Sequence, residues 1–281
     1  MGRGIAQVVA HAGYETVARD IKQEYNERAR RAIVQSLDKF VEKGKMQSGD
    51  REATLSRLSF TTDLADLAEC DIIIEAVTED LEIKNAIWVD LDTRCPAHTV
   101  FTSNTSSLTI TAMAAATKRA DRFAGLHFFN PVPLMPLVEV VRAVTTSPDT
   151  FDAVMKFAKS LGKTPIAAKD RTGFVVNRLL VPYLVDAVRA LEQGVASVAD
   201  IDQGMTMGTG HPMGPFTLLD FVGLDTTLKI AEIMFDEFRE PRFAPPPLLR
   251  RMVLAGMLGK KSGRGFYDYS TQPPTVSDLG L

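Results

Sequence analysis

The sequence is short of several things, and each shortage excludes something. It has two cysteines, Cys70 and Cys95, 25 positions apart and without metal-ligand spacing. A disulfide-stapled miniature is therefore excluded, no metal site is expected, and two structural thiols suit a reducing, cytoplasmic location. No run of roughly 18 apolar residues occurs, so a membrane-spanning helix is not expected. Neither sign of charge dominates: Lys and Arg total 32, Asp and Glu total 35, and the net charge is -3. Nothing in that balance points to nucleic acid as a partner. The opening residues carry no basic start leading into an apolar stretch and a cleavage site, so a signal peptide is not expected. What is present is ordinary: 45% hydrophobic and 24% charged residues in 281, the composition of a globular protein. At roughly 100–200 residues per domain, the length implies two domains or one large one.

The pattern along the chain favours two. Ile5, Val8, Val9 and Ala12 recur at helical spacing, with Gly13 as a stop. Residues 15–20 read as a short strand ending in Asp20. Ala29, Ile33, Leu37 and Phe40 mark a long amphipathic helix, followed by a polar segment containing Gly44, Ser48 and Gly49. Ile72-Ile73-Ile74 has the continuous apolar character of a strand buried on both faces. A helix over 82–92 and strands over 100–102, 123–129, 137–141 and 165–168 complete the set. Strands alternating with helices over some 170 residues predict a doubly wound α/β sheet. From Phe174 onward the pattern is helical, apart from an extended Gly-Phe-Tyr near the tail, and Pro245-Pro246-Pro247 reads as a stiff turn between helices. The expected domains are 1–170, an α/β domain, and 171–281, all-helical.

Several constellations can carry chemistry. Met1-Gly2 followed by helix, strand and Asp20 fits the last part of a G-x-G-x-x-G dinucleotide fingerprint. Asp20 would accept hydrogen bonds from ribose hydroxyls and repel a 2′-phosphate, favouring NAD over NADP, although Arg19 beside it argues the other way. Glu79 and Lys84 follow the 72–74 strand at the end where open α/β sheets bind ligands; a carboxylate complementing a helix N-terminus is the alternative for Glu79. Thr102-Ser103-Asn104-Thr105-Ser106-Ser107 follows another strand and offers a cluster of hydroxyls, an amide and backbone N–H groups to a ligand. His127 ends a strand, and Glu139 lies in the apolar strand twelve positions on. A carboxylate there is costly unless paired, and His127 is its natural partner. So paired, His127 is a candidate general base. A hydrogen-bonded core histidine is the alternative. His211 reads as a turn residue, His11 and His98 as surface positions. Asn177 sits amid apolar residues on a helix; it can donate to a substrate oxygen or to a neighbouring helix.

Taken together and in order, five segments resemble the short-chain L-3-hydroxyacyl-CoA dehydrogenases, most closely the bacterial 3-hydroxybutyryl-CoA group. They are residues 103–107 (SNTSS), 125–131 (GLHFFNP), 137–140 (LVEV), 173–178 (GFVVNR) and 259–267 (GKKSGRGFY). The resemblance implies an N-terminal NAD-binding Rossmann domain, a C-terminal helical domain that forms a homodimer, and an acyl-CoA substrate. By position it implies His127 as catalytic base, Glu139 as its orienting partner, and Ser106 and Asn177 as the substrate hydrogen-bonding pair. It assigns Asp20, Glu79, Lys84, Asn104, Ser106, Asn130 and Lys261 to NAD, and Ser36 and Lys43 to coenzyme A. The departure is at the front. The family's first strand and the first two glycines of its fingerprint have no counterpart, and Gly2 aligns with the third. The expectation is a sheet lacking a central strand, from a start assigned too far downstream or a truncated front, and poor NAD affinity if the chain does begin at Met1. Two rivals use the same residues: a dehydrogenase of this fold acting on a free hydroxy acid such as L-gulonate, and a non-catalytic homologue with an impaired cofactor site.

Overall fold

The computed structural model describes residues 1–280. The chain divides into two compact units, Met1–Phe174 and the remainder from Val175.

The first unit runs α1 (Gly2–His11), β1 (Thr16–Arg19), α2 (Gln23–Glu42), α3 (Ser48–Ser56), β2 (Leu58–Thr61), β3 (Ile72–Glu75), α4 (Leu81–Arg94), β4 (Val100–Ser103), α5 (Ile110–Ala114), β5 (Phe123–Phe128), β6 (Leu137–Arg142), α6 (Pro148–Ser160) and β7 (Thr164–Lys169). Helix starts follow local chemistry. Asp80 caps α4 by accepting from the Ile83 N–H, and Ser147 caps α6 with Pro148 in its first turn. The polar stretch after Gly44 does not stay irregular as its composition suggests. It holds α3 and β2, because β2 pairs in parallel with β1.

The remaining strands form a second sheet in the order β3-β4-β5-β6-β7. All its pairs are parallel except β5–β6. Among the described residues no strand joins the two sheets, so β1 and β3 each keep one unpaired edge. Each of these strands therefore pairs on one side only. This explains a departure at the 72–74 run. Ile73 is buried, but Ile72 and Ile74 are only half-buried, because β3 ends its sheet and pairs with β4 alone.

Period-two alternation sorts the strand residues onto two cores. Phe123 and Val141 face one, with Phe101, Trp88 and Ile110. Ala124, Leu126, Phe128, Val138 and Val140 face the other, against Ile5, Val8 and Val9 of α1 and Val154 of α6. Gly125 is on the Phe123 face of β5, in a place where a side chain has no room. A Cβ there would stand 2.7 Å from Val141 Cβ and 3.0 Å from the Ile110 side chain. Gly125→Ala is expected to cost about 1–3 kcal/mol of stability by overpacking. Urea unfolding checks this, and an unchanged midpoint would contradict it.

The second unit comprises α7 (Val176–Glu192), α8 (Val198–Thr209), α9 (Pro215–Val222), α10 (Leu224–Phe238), α11 (Pro247–Leu254) and a two-stranded ribbon, β8 (Tyr267–Asp268) with β9 (Thr275–Val276). Leu184, Val188, Phe216, Leu219, Leu249 and Phe266 form its core. The proline run lies between α10 and α11, with Pro247 opening the latter. Two carboxylates fasten the tail to the helices. Asp220 accepts from the N–H groups of Phe266 and Tyr267 at 2.9 and 2.8 Å, and Asp202 accepts from the Tyr267 hydroxyl at 2.9 Å. Burial pushes the Asp220 carboxyl above its ordinary range despite these donors. Gly265 is pressed so closely on Asp220 that a Cβ would overlap its carboxylate. Much of the 259–267 segment is thus accounted for by packing.

Candidate active site

The carboxyl ends of β3, β4 and β5 lie side by side, since Glu75 is in register with Ser103 and Ser103 with Gly125. Side chains leaving those ends converge, as the rule for open α/β sheets requires. On β5 and β6 the antiparallel register sets His127 directly opposite Glu139. Nδ1 of His127 lies 2.6 Å from Oε2 of Glu139. Glu139 is fully buried and His127 is 6% exposed, with the rings of Phe129 and Phe174 at 4.7 and 5.6 Å. A carboxylate on Nδ1 fixes the ring's orientation and turns Nε2 into its reactive nitrogen.

Next to this pair is a buried ionic cluster. Lys84 Nζ donates to Glu75 Oε1 at 2.6 Å and stands 3.5 Å from Glu79 Oε2. Glu75 also accepts from the Ser103 hydroxyl at 2.6 Å and from the Val77 N–H at 2.7 Å. Glu79 reaches the 105–106 loop: its carboxylate accepts from the Thr105 hydroxyl at 2.8 Å and from Ser106 N and Oγ at 2.7 and 3.1 Å. Asn104 bonds forward, its Oδ1 accepting the Phe128 N–H at 2.9 Å. Glu79, Lys84, Asn104 and Ser106 are therefore in one network beside the strand of His127. Sequence reading passed over Glu75, the hub of that network. Its signal is a carboxylate directly continuing the Ile72-Ile73-Ile74 run. The 102–107 cluster is more structural than expected, with Thr102 donating to the Ile73 carbonyl and Ser103 and Thr105 to the two glutamates.

The other anticipated residues are spread out. Asp20 is exposed at the carboxyl end of β1, one oxygen accepting from the Ile21 N–H. Arg19, which weighed against NAD, donates to the Thr62 carbonyl at 3.2 Å. An exposed carboxylate there fits a dinucleotide that lacks a 2′-phosphate. Gly2 opens α1, but a Cβ there would meet only Ala76 at 3.8 Å, an ordinary contact. A tighter approach is at Gly4, where a Cβ would stand 3.1 Å from Val132 Cβ. Asn130, Ser36 and Lys43 line one cavity of about 480 Å³ together with Arg3, Lys39 and Lys45. No acidic side chain lines it, so it suits an anion. Its rim at residues 132–135 is held by Lys163, which donates to the Val132 and Met135 carbonyls at 2.6 and 2.8 Å. Burial draws that ammonium below its ordinary range. In the second unit, Asn177 is half-buried in the first turn of α7, and Lys261 is ion-paired with Asp225. Cys70 and Cys95 are free, and burial pushes both thiols up, away from reactivity.

Two family models match this chain: the NAD binding domain of 3-hydroxyacyl-CoA dehydrogenase over residues 1–171 and its C-terminal domain over residues 173–269. The chain belongs to the 3-hydroxyacyl-CoA dehydrogenase family. The 3-hydroxybutyryl-CoA dehydrogenase of Mycobacterium tuberculosis is 50% identical over 271 residues, covering 96% of this chain and 95% of its own. The mitochondrial hydroxyacyl-coenzyme A dehydrogenase of Sus scrofa is 48% identical over 276 residues, 96% of this chain and 88% of its own. The crystal structure of (S)-3-hydroxybutyryl-CoA dehydrogenase from Ralstonia eutropha superposes with a TM-score of 0.93 at 45% identity, covering 96% of both chains. The α/β domain followed by helices, the 3-hydroxyacyl-CoA dehydrogenase character and the NAD dependence read from the sequence all agree with this family. No described helix is long and apolar enough to cross a membrane.

Proposed function

We propose that the chain catalyses the reversible NAD-dependent oxidation of short-chain L-3-hydroxyacyl-CoA thioesters, 3-hydroxybutyryl-CoA among them, to 3-ketoacyl-CoA. The observation that carries this is the His127–Glu139 pair, cross-strand and buried, beside the Glu75–Lys84–Glu79 network.

In the oxidation direction His127 takes the 3-hydroxyl proton at Nε2, since Nδ1 is committed to Glu139. Glu139 then stabilises the imidazolium, and in reduction His127 returns the proton. A positioned base of this kind supplies about 10²–10⁴-fold. Ser106, held at N and Oγ by Glu79, and Asn177 orient the reacting oxygens. When bound, NAD supplies the hydride acceptor. Gly2, Asp20, Glu79, Lys84, Asn104, Ser106, Asn130 and Lys261 are the residues assigned to hold it. Ser36 and Lys43 take the phosphates of coenzyme A in the basic cavity. In this reading residues 1–170 are the NAD-binding domain, and 171–281 are the helical dimerisation and substrate domain. Two unpaired thiols are in keeping with a cytoplasmic location.

The test is NADH oxidation with acetoacetyl-CoA, run beside free acetoacetate. The thioester reading expects turnover with the first and little with the second. Equal rates would favour the free-acid rival, and no turnover with either would contradict the proposal. Lys43→Ala is expected to raise KM for acetoacetyl-CoA about fivefold, roughly 1 kcal/mol, with kcat unchanged, because a phosphate contact binds ground and transition states alike. An unchanged KM in steady-state assays would remove Lys43 from the site.

A further inference from the structure

One buried carboxylate takes no part in the proton transfer. Glu75 ends β3 with its side chain 2% exposed. Both its oxygens accept, Oε1 from Lys84 Nζ and the Val77 N–H, Oε2 from the Ser103 hydroxyl. Glu79 likewise accepts at both oxygens, from Ser106 N and Oγ and from the Thr105 hydroxyl. Accepting at every oxygen is the pattern of an ionised carboxylate. Two carboxylates thus face one ammonium, and the cluster carries one negative charge in surplus. Neutralising Lys84 needs only one of them, and burying a surplus charge is costly. The cluster sits where such a charge can act. In the proposed oxidation the proton goes to His127 and the hydride leaves the same carbon, so the nicotinamide ring must come up beside His127. The cluster is joined to that strand through Asn104, which follows Ser103 and accepts the Phe128 N–H at 2.9 Å. A nicotinamide ring is a cation in NAD⁺ and neutral in NADH, and a fixed negative charge nearby favours the cation.

We propose that the surplus charge supplied by Glu75 sets the relative affinity for the two cofactor forms, favouring NAD⁺ against NADH. The inference rests on the assignment of Glu79, Lys84 and Ser106 to NAD above. Its test is calorimetric Kd for NAD⁺ and for NADH with the native chain, Glu75→Gln, Lys84→Met and the double variant. The quantity read is the ratio of Kd for NADH to Kd for NAD⁺, because contacts to the parts common to both forms cancel in it. Glu75→Gln leaves the cluster neutral, Lys84→Met leaves it two negative charges, and the double variant restores one. A unit charge acting across roughly 12 Å at an effective dielectric of about 20 is worth about tenfold. The ratio is expected to fall about three- to tenfold in Glu75→Gln and to rise as much in Lys84→Met. In the double variant it returns to within about twofold of native, although both side chains have changed. A ratio that Glu75→Gln leaves unchanged, or a double variant as far from native as a single one, overturns the proposal. Where Lys84→Met is too unstable to titrate, Glu75→Gln and the double variant decide. A native chain that binds neither form contradicts the NAD assignment and this inference with it. Native binding with a ratio indifferent to charge overturns this inference alone.

Discussion

Replacing His127 with Gln is expected to lower kcat/KM for acetoacetyl-CoA reduction by about 10²–10⁴. The fold should survive. Gln keeps an amide N–H within reach of Glu139, which accepts at 2.6 Å in the native pair, so the buried carboxylate is not abandoned. What Gln cannot do is exchange a proton at the position of Nε2. The loss should fall on kcat, because the interaction removed is made in the transition state. Steady-state assays with NADH, together with an unfolding curve matching the native one, check this. Near-native turnover in a folded variant would mean that His127 is only a hydrogen-bonded core histidine.

Lys84→Met carries the largest expected effect on stability, a loss of about 3–5 kcal/mol. Lys84 and Glu75 have side chains only 1% and 2% exposed. Removing the ammonium leaves Glu75 charged in a dry site, still accepting from Ser103 and Val77 but without a counter-ion. Glu79 loses a cation 3.5 Å away and with it part of the grip on Thr105 and Ser106. The double variant Glu75→Gln, Lys84→Met should recover much of the loss, because a neutral amide has no uncompensated charge to bury. Urea titrations of the three proteins decide the matter. A single variant as stable as the native chain, or a double variant no better than the single, would show that the pair is not electrostatically coupled as its geometry implies.

The part of the site legible in the sequence is the part governed by simple periodicity and cost. Glu139 in an apolar strand demands a partner, and His127 at another strand's end can supply one. Neither reading needs the strand direction, yet it is the antiparallel β5–β6 register that puts them opposite each other. The alternation of helices and strands likewise follows from hydrophobic spacing. Less legible were features that depend on which strands are neighbours. The Ile72-Ile73-Ile74 run looks central by composition, but β3 has a partner on one side only. Glu75 reads as a strand end until Lys84 folds back onto it from α4. The hydroxyls of 102–107 look like ligand groups in sequence, whereas those of Thr102, Ser103 and Thr105 meet protein acceptors. The crowding at Gly125 and Gly265 comes from residues distant in sequence, and no local pattern announces it.

In the proposed reaction His127 and Glu139 act as one unit in proton transfer. A double-mutant cycle tests it most directly, measuring kcat/KM for acetoacetyl-CoA reduction with His127→Gln, Glu139→Gln and the two combined. Once His127 can no longer carry a proton, Glu139 has no imidazolium to stabilise. The double variant is therefore expected to be about as slow as His127→Gln alone, far from the product of the two losses. Losses that simply multiply would contradict the claim.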